Sequence, residues 1–344
     1  MFYIRVDANK VIAFGHLMRC LSIAAAMRKL GEDVTFLKAD TCGDELVVRE
    51  GFSVITLNTL WNQMEQELPV LEGIVKEKKI EKLLVDSYQV TDQYLERLGE
   101  MTAVAYLDDF GEVQYPADII INYSYTCNRE RYRNLYQNTG TNLLLGTKYL
   151  PLRDQFQKNV QRKPVDKIKN ILVVTGGADI CHMLELVLEK LAGREYFSDK
   201  RFHLVIGPGV EDHEKLQRQA KAAGNVCCYR NVQNMAGLME DCDIAVSAAG
   251  STLYELCACK VPTICFAVAD NQLCGMQGLV QQQIMLSVGD VRKKERTQLA
   301  EEIEEAVRML EAKEKRAEYM TAMQKVTDGR GAQKLAQALI DFRK

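Results

Sequence analysis

The sequence predicts an α/β protein made of two doubly wound parallel-sheet domains, and three observations carry that prediction. Short apolar runs alternate with longer amphipathic stretches along most of the chain. The runs are continuous rather than alternating, as in strands covered on both faces. The alternation halts once, near residues 148–166, and then restarts. A length of 344 residues suits two domains.

Strands are expected at 2–6, 34–37, 53–57, 83–85, 104–107 and 119–121, with helical patterns between them. The clearest helix is 17–30, where Leu17, Leu21, Ala24, Ala25 and Met27 recur at helical spacing before Gly31. The pause holds Pro151, Pro164 and the charged run Gln157-Lys-Asn-Val-Gln-Arg-Lys163. The second series has strands at 171–174, 202–206, 244–247 and 263–268. Helices are expected at 183–191, at 211–223 and after Ser251, and the tail from 295 to 344 is helical in pattern. The expected organisation is a first domain at 1–148, a linker at 149–166, and a second domain at 167–344 that includes the tail. Facing strand ends would form a cleft.

Composition narrows the function classes. Apolar residues are 47% and charged residues 26%, as in an ordinary globular protein, and six prolines without low-complexity tracts argue against disorder. A net charge of −3 makes nucleic acid an unexpected partner. No stretch approaches the ~18 apolar residues of a membrane span. Arg5 and Asp7 inside the first apolar run argue against a signal peptide. Eleven cysteines, odd in number and without a C-x-x-C pair, read as free thiols of a cytoplasmic protein, with Cys257 and Cys259 as helix packing.

In doubly wound sheets, chemistry sits just after the strands. After the first strand comes Asp7-Ala-Asn-Lys-Val-Ile-Ala-Phe-Gly-His16, where Gly15 permits close backbone approach and His16 opens the helix. Histidine can accept a proton from water near neutral pH. From spacing alone a capping or packing histidine is the simpler reading. Position after the first strand sets His16 apart from His182, His203 and His213, which receive no role. The loop lacks G-x-G-x-x-G, and the chain has no Walker lysine loop, so no nucleotide cofactor chemistry of those types is expected.

In the second half, Thr175-Gly176-Gly177-Ala178-Asp179 exposes backbone N–H groups before a helix, a setting that favours phosphate. Ser247-Ala-Ala-Gly-Ser-Thr252 precedes another helix that carries Glu255 one turn in. Such a loop can admit a diphosphate and the carboxylate can hold ribose hydroxyls, while a plain strand–helix turn with a solvated Glu255 explains this loop equally well. Asp270, Asn271 and Gln272 follow another buried strand. Asp241 and Asp243 match a metal-binding D-x-D but sit at a helix end and read as a turn. The pair Asp108-Asp109 makes a poor metal site without a third ligand, and no metal or cofactor is expected.

Taken together, Phe14-Gly-His-Leu-Met-Arg-Cys20, Leu145-Gly-Thr-Lys-Tyr-Leu-Pro-Leu-Arg153, Gly176-Gly-Ala-Asp179, Ala249-Gly-Ser-Thr-Leu-Tyr-Glu255 and Asp270-Asn-Gln272 resemble the PseG family. These are UDP-sugar hydrolases of pseudaminic acid biosynthesis, similar in fold to MurG-type GT-B glycosyltransferases. The match runs in order to about residue 290. The resemblance implies a GT-B-like fold and metal-independent, inverting hydrolysis of UDP-2,4-diacetamido-2,4,6-trideoxy-β-L-altrose. It implies His16 as base, with Tyr88 of Val85-Asp-Ser-Tyr88 and Asn271 completing the catalytic set. Gly15, Arg19, Gly176, Gly177, Asp179, Gly250, Ser251, Thr252, Glu255 and Gln272 would bind substrate or UDP.

Two departures stand out. Ala13 replaces a common glycine and bears on the sugar pocket, and Lys260 stands where glycine commonly closes a helix. The competing functions are a glycosyltransferase of the same fold using a UDP-sugar donor, and a non-catalytic nucleotide-sugar-binding module. The oligomeric state is not encoded in any of these features.

Overall fold

The computed structural model describes residues 1–9, 11, 12, 14–157 and 160–343. Ala13, one of the two departures, lies outside them. The chain divides into two units, Met1–Asp154 with Arg330–Lys344, and Gln155–Gly329.

The first unit holds seven parallel strands: β1 (Phe2–Val6), β2 (Val34–Lys38), β3 (Ser53–Thr56), β4 (Lys82–Asp86), β5 (Ala103–Leu107), β6 (Ile119–Asn122) and β7 (Asn142–Leu145), in the order β3-β2-β1-β4-β5-β6-β7. Strands β1 and β6 are buried along their whole lengths, because helices cover both faces of the sheet. Chain order reverses between β1 and β4, whose register pairs Val6 with Asp86. The connections leaving these two neighbours run to opposite sides, which opens a crevice at their C-terminal ends.

The second unit repeats the plan with β8 (Asn170–Val174), β9 (Arg201–Ile206), β10 (Val226–Arg230), β11 (Ile244–Ala248), β12 (Thr263–Ala267) and β13 (Leu286–Asp290), in the order β10-β9-β8-β11-β12-β13. Its reversal lies between β8 and β11, which pair Val174 with Ser247. The two small-residue loops singled out from sequence, after 174 and after 248, therefore flank one crevice.

Three strands were not visible in the apolar pattern, namely β7, β10 and β13. All are sheet edges. An edge strand has one hydrogen-bonded neighbour and less cover, so it tolerates residues such as Asn142, Arg230, Ser287 and Gly289 that break an apolar run. The helix expected at 183–191 is an α-turn at Met183–Leu186 that passes into a π-helical turn at Val187–Leu191.

One domain boundary is corrected. The expected second domain ran to residue 344, but the last helix, Gly331–Asp341, belongs to the first unit. Its stripe Ala332, Leu335, Ala336 and Leu339 is fully buried in the core that contains Leu17, Leu21 and Phe36. It packs along the helix Gly15–Lys29. Gly331 makes the approach possible, since a Cβ there would lie 2.3 Å from the Leu150 carbonyl oxygen. Periodicity shows that a helix has an apolar stripe, not which sheet the stripe will cover.

The eleven cysteines form no disulfide, and Cys257 and Cys259 are buried in the helix Thr252–Cys259. Among the described residues, no helix is long and apolar enough to cross a membrane. Lys260 closes the helix Thr252–Cys259 at φ 53°, the left-handed conformation that glycine usually supplies. Lys79 does the same for the helix Met64–Lys78 at φ 51°, and its side chain is exposed. Lys79→Gly should therefore stabilise the first unit by about 1 kcal/mol without loss of packing. Thermal unfolding should show a rise of about 2–4 °C, and an unchanged midpoint would refute the strain.

Candidate functional site

The first crevice is built around one carboxylate. Asp86 ends β4 with its side chain wholly buried, and every strong partner it has comes from the first turns of the helix Gly15–Lys29. His16 Nδ1 lies 2.6 Å from Asp86 Oδ1. Arg19 donates from Nε to Oδ2 at 2.7 Å and from Nη2 to Oδ1 at 2.5 Å. Cys20 Sγ donates to Oδ2 at 3.3 Å. Residues 16, 19 and 20 share one face because they are spaced by three and four, and that face meets the end of β4 at the switch point.

Burial alone would raise the Asp86 carboxyl, but the guanidinium of Arg19 and the His16 ring outweigh it and hold it well below its ordinary value. An ionised carboxylate only accepts hydrogen bonds, so His16 Nδ1 must carry the proton. That tautomer leaves the lone pair on Nε2, which has no hydrogen-bond partner among the described residues. The His16 side chain keeps 8% exposure. A histidine held this way by a buried aspartate can accept a proton at Nε2 while the carboxylate stabilises the cation that forms.

Arg19 links this pair to a second carboxylate. Its Nη1 donates to Asp109 at 2.9 and 3.0 Å and to the Tyr123 hydroxyl at 2.8 Å. Asp109 also accepts from the Tyr88 hydroxyl at 2.8 Å. Burial and the neighbouring Asp109 raise the Tyr88 phenol, so it stays a protonated donor. The Tyr88 ring stands edge-on to His16, with centroids 4.5 Å apart at 80°. His16, Arg19, Asp86, Tyr88 and Asp109 thus form one connected group.

The outcome differs for individual residues. His16 and Tyr88, both expected in the catalytic set, are neighbours in the first unit. Arg19, expected to bind substrate, directs its donors to Asp86, Asp109 and Tyr123. Gly15 is exposed at the helix start with open space where a Cβ would be. Asp86 and Asp109 escaped notice as site residues. Asp86 lay inside the quoted Val85-Asp-Ser-Tyr88, and a lone acidic residue ending a buried strand was the available signal. For Asp109 the sequence offers only a poor metal ligand beside Asp108.

In the second unit, Gly176 (φ 85°), Gly177 and Gly250 leave open space at their Cβ positions, and Ser251 is exposed. The Gly176-Gly177 loop is supported by Gly207, where a Cβ would lie 2.4 and 2.3 Å from the carbonyl oxygens of Gly176 and Gly177. That residue was also missed. Thr252 and Glu255 are partly exposed on the first turns of their helix. Asn271 is exposed on the first turn of the helix Asp270–Gln281. It belongs to the second unit, whereas His16 and Tyr88 belong to the first.

Two of the residues expected to bind ligand hydrogen-bond to the backbone. Asp179 accepts from the Met183 and Leu184 amides at 2.9 and 3.0 Å, so its carboxylate fixes the loop to the helix. Gln272 Oε1 accepts from the Val268 amide at 2.9 Å, which pins the turn before the helix. Asp243 accepts from the Lys169 and Asn170 amides, in keeping with a structural turn.

Two Rossmann-like parallel-sheet units with open loops at their switch points define the GT-B fold class. MurG of Acinetobacter baumannii superposes with a TM-score of 0.71 at 13% identity, covering 99% of each chain. Residues 171–338 match the glycosyltransferase family 28 C-terminal domain. The chain is 24% identical over 271 residues to the UDP-2,4-diacetamido-2,4,6-trideoxy-beta-L-altropyranose hydrolase of Campylobacter jejuni, covering 78% of this chain and 92% of that protein. An uncharacterized protein of Methanocaldococcus jannaschii is 25% identical over 269 residues, which are 75% of this chain and 54% of its own length. The chain thus spans about half of that relative.

The Asp86 carboxyl makes a prediction about pH. Its folded value lies below the ordinary 3.8, so its stabilisation is complete above that value and is lost as pH falls through and below it. The stability difference between wild type and Asp86→Asn should shrink as pH falls below about 4. Denaturant titration measures this, and a difference that grows as pH falls below about 4 would contradict the ion pairing.

Proposed function

We propose that the protein is a nucleotide-sugar hydrolase that cleaves the anomeric C–O bond of a UDP-sugar with inversion, releasing UDP and free sugar. The observation that carries the reading is the Asp86–His16 pair with an unengaged Nε2. His16 Nε2 takes a proton from water as the oxygen attacks the anomeric carbon. The bond from that carbon to the diphosphate oxygen breaks, and its electron pair leaves with UDP. Tyr88 and Asn271 orient the sugar and diphosphate. Gly176, Gly177, Gly250, Ser251 and Thr252 supply backbone and hydroxyl donors for the diphosphate, and Glu255 holds the ribose. Donors of this type are each worth roughly 3 kcal/mol in comparable sites.

The Campylobacter jejuni relative supports a 2,4-diacetamido-2,4,6-trideoxy sugar as substrate, and with it a cytoplasmic role in pseudaminic acid biosynthesis. The chemistry is assigned to side chains and backbone without a metal. A transferase reading draws on the family 28 match. It requires an acceptor hydroxyl in place of water.

NMR of the purified protein with UDP-diacetamido sugars and no added acceptor decides between these readings. Appearance of UDP and free sugar, with the inverted anomer formed first, supports hydrolysis; turnover only with an acceptor supports the transferase. His16→Ala should lower turnover by about 100-fold or more while UDP binding survives in calorimetry. Asp86→Asn should lower kcat with little change in KM, because it acts through the ring and not on the substrate. Wild-type turnover in His16→Ala would remove the base assignment.

A further inference from the structure

Beside His16 the fold holds two large aromatic side chains in solvent. Phe110 is 54% exposed and Tyr88 39% exposed, and their ring centroids lie 5.1 Å apart at 53°. Single exposed aromatics need no explanation, but this one is held in place by the fold. Asp108, wholly buried, accepts at Oδ1 from the amides of both Phe110 and Gly111 at 3.0 Å. Its Oδ2 accepts from the Tyr132 hydroxyl at 2.9 Å. Gly111 adopts φ 62°, and a Cβ there would lie 2.7 Å from the Tyr132 ring. A buried carboxylate and a glycine that cannot be replaced thus fix a turn whose outermost residue is Phe110.

The polar surroundings define what such a surface would take. The Tyr88 proton is directed to Asp109, so its oxygen is left to accept from a ligand. Aromatic faces favour methyl and C–H groups, and an accepting oxygen beside them suits an N–H. A methyl group joined to an N–H through a carbonyl is an acetamido substituent.

We propose that Phe110 and Tyr88 form an aromatic platform that sets sugar specificity, selecting acetamido-bearing nucleotide sugars over their hydroxyl counterparts. The proposal rests on the reading of this crevice as a nucleotide-sugar site and assigns its discrimination to Phe110, which neither the family motifs nor the base chemistry involve.

The test compares dissociation constants of UDP-N-acetylglucosamine and UDP-glucose by calorimetry for the full-length wild type, Phe110→Ala and Phe110→Tyr. Phe110 is exposed, so neither substitution should impair folding, and circular dichroism checks this. Wild type should favour the acetamido sugar by about tenfold or more. Phe110→Ala should bring that ratio within about twofold of one, and Phe110→Tyr should keep it. A wild type without the preference, or an alanine variant that retains it, overturns the platform. Hydrolysis of the same sugars is followed separately. Turnover with an unchanged ratio overturns the platform and spares the hydrolase reading, whereas a collapsing ratio without turnover on any UDP-sugar does the reverse. Absence of binding to either sugar overturns the platform, while the hydrolase reading stands or falls on turnover of UDP-diacetamido sugars.

Discussion

The first unit's site depends on the pairing of Asp86 with Arg19. A carboxylate sealed at the end of a central strand is costly unless its oxygens are met by donors, and a buried guanidinium is costly for the same reason. Each group makes the other tolerable, and together they leave one acceptor direction for His16 Nδ1. Such a pair contributes little net stability compared with an apolar replacement. What it contributes is geometry, since it fixes the ring, its tautomer and the free nitrogen. Asp109 extends the same logic outward to Tyr88, so one guanidinium sets the positions of both aromatic groups.

Sheet topology explains why these residues can meet. His16 and Asp86 are 70 positions apart, yet β1 and β4 are neighbours and their outgoing connections diverge. Only at that reversal does an open space form above the strand ends while the helix start and the neighbouring strand end remain adjacent. The second unit places its two glycine-bearing loops by the same rule, and Gly207 shows how tightly the backbone around the first of them is packed. The recurrence makes the position of each site a property of the fold, while its chemistry belongs to the residues set there.

Several residues that look chemical in isolation serve the backbone. Asp179, Asp243, Gln272 and Asp108 each direct at least one side-chain oxygen to main-chain amides near loops or helix starts. Unsatisfied N–H groups at such places are expensive, and short polar side chains are the available remedy. His203 behaves similarly, with one ring nitrogen 2.9 Å from the Tyr229 hydroxyl and the other 3.0 Å from Asn170 Oδ1. The residues that remain, His16, Tyr88 and Phe110, are those whose surroundings leave an atom or a face unengaged.

The sequence by itself determined the fold class, because buried parallel strands write themselves as continuous apolar runs and their covering helices as 3.6-residue stripes. It also placed the strand-following loops, and with them His16, Gly176 and Gly250, since a chain that leaves a buried strand must turn there, whereas Tyr88 was pointed to by the family resemblance. The edge strands β7, β10 and β13 escaped because an edge need not be apolar. Tertiary structure alone decided that Gly331–Asp341 covers the first unit, that Arg19 holds carboxylates, and that Asp86 and Asp109 organise the base. These facts depend on which strands become neighbours and which charges are then buried together. Local sequence carries no record of a partner dozens of residues away, and only packing brings the two charges close enough for each to require the other.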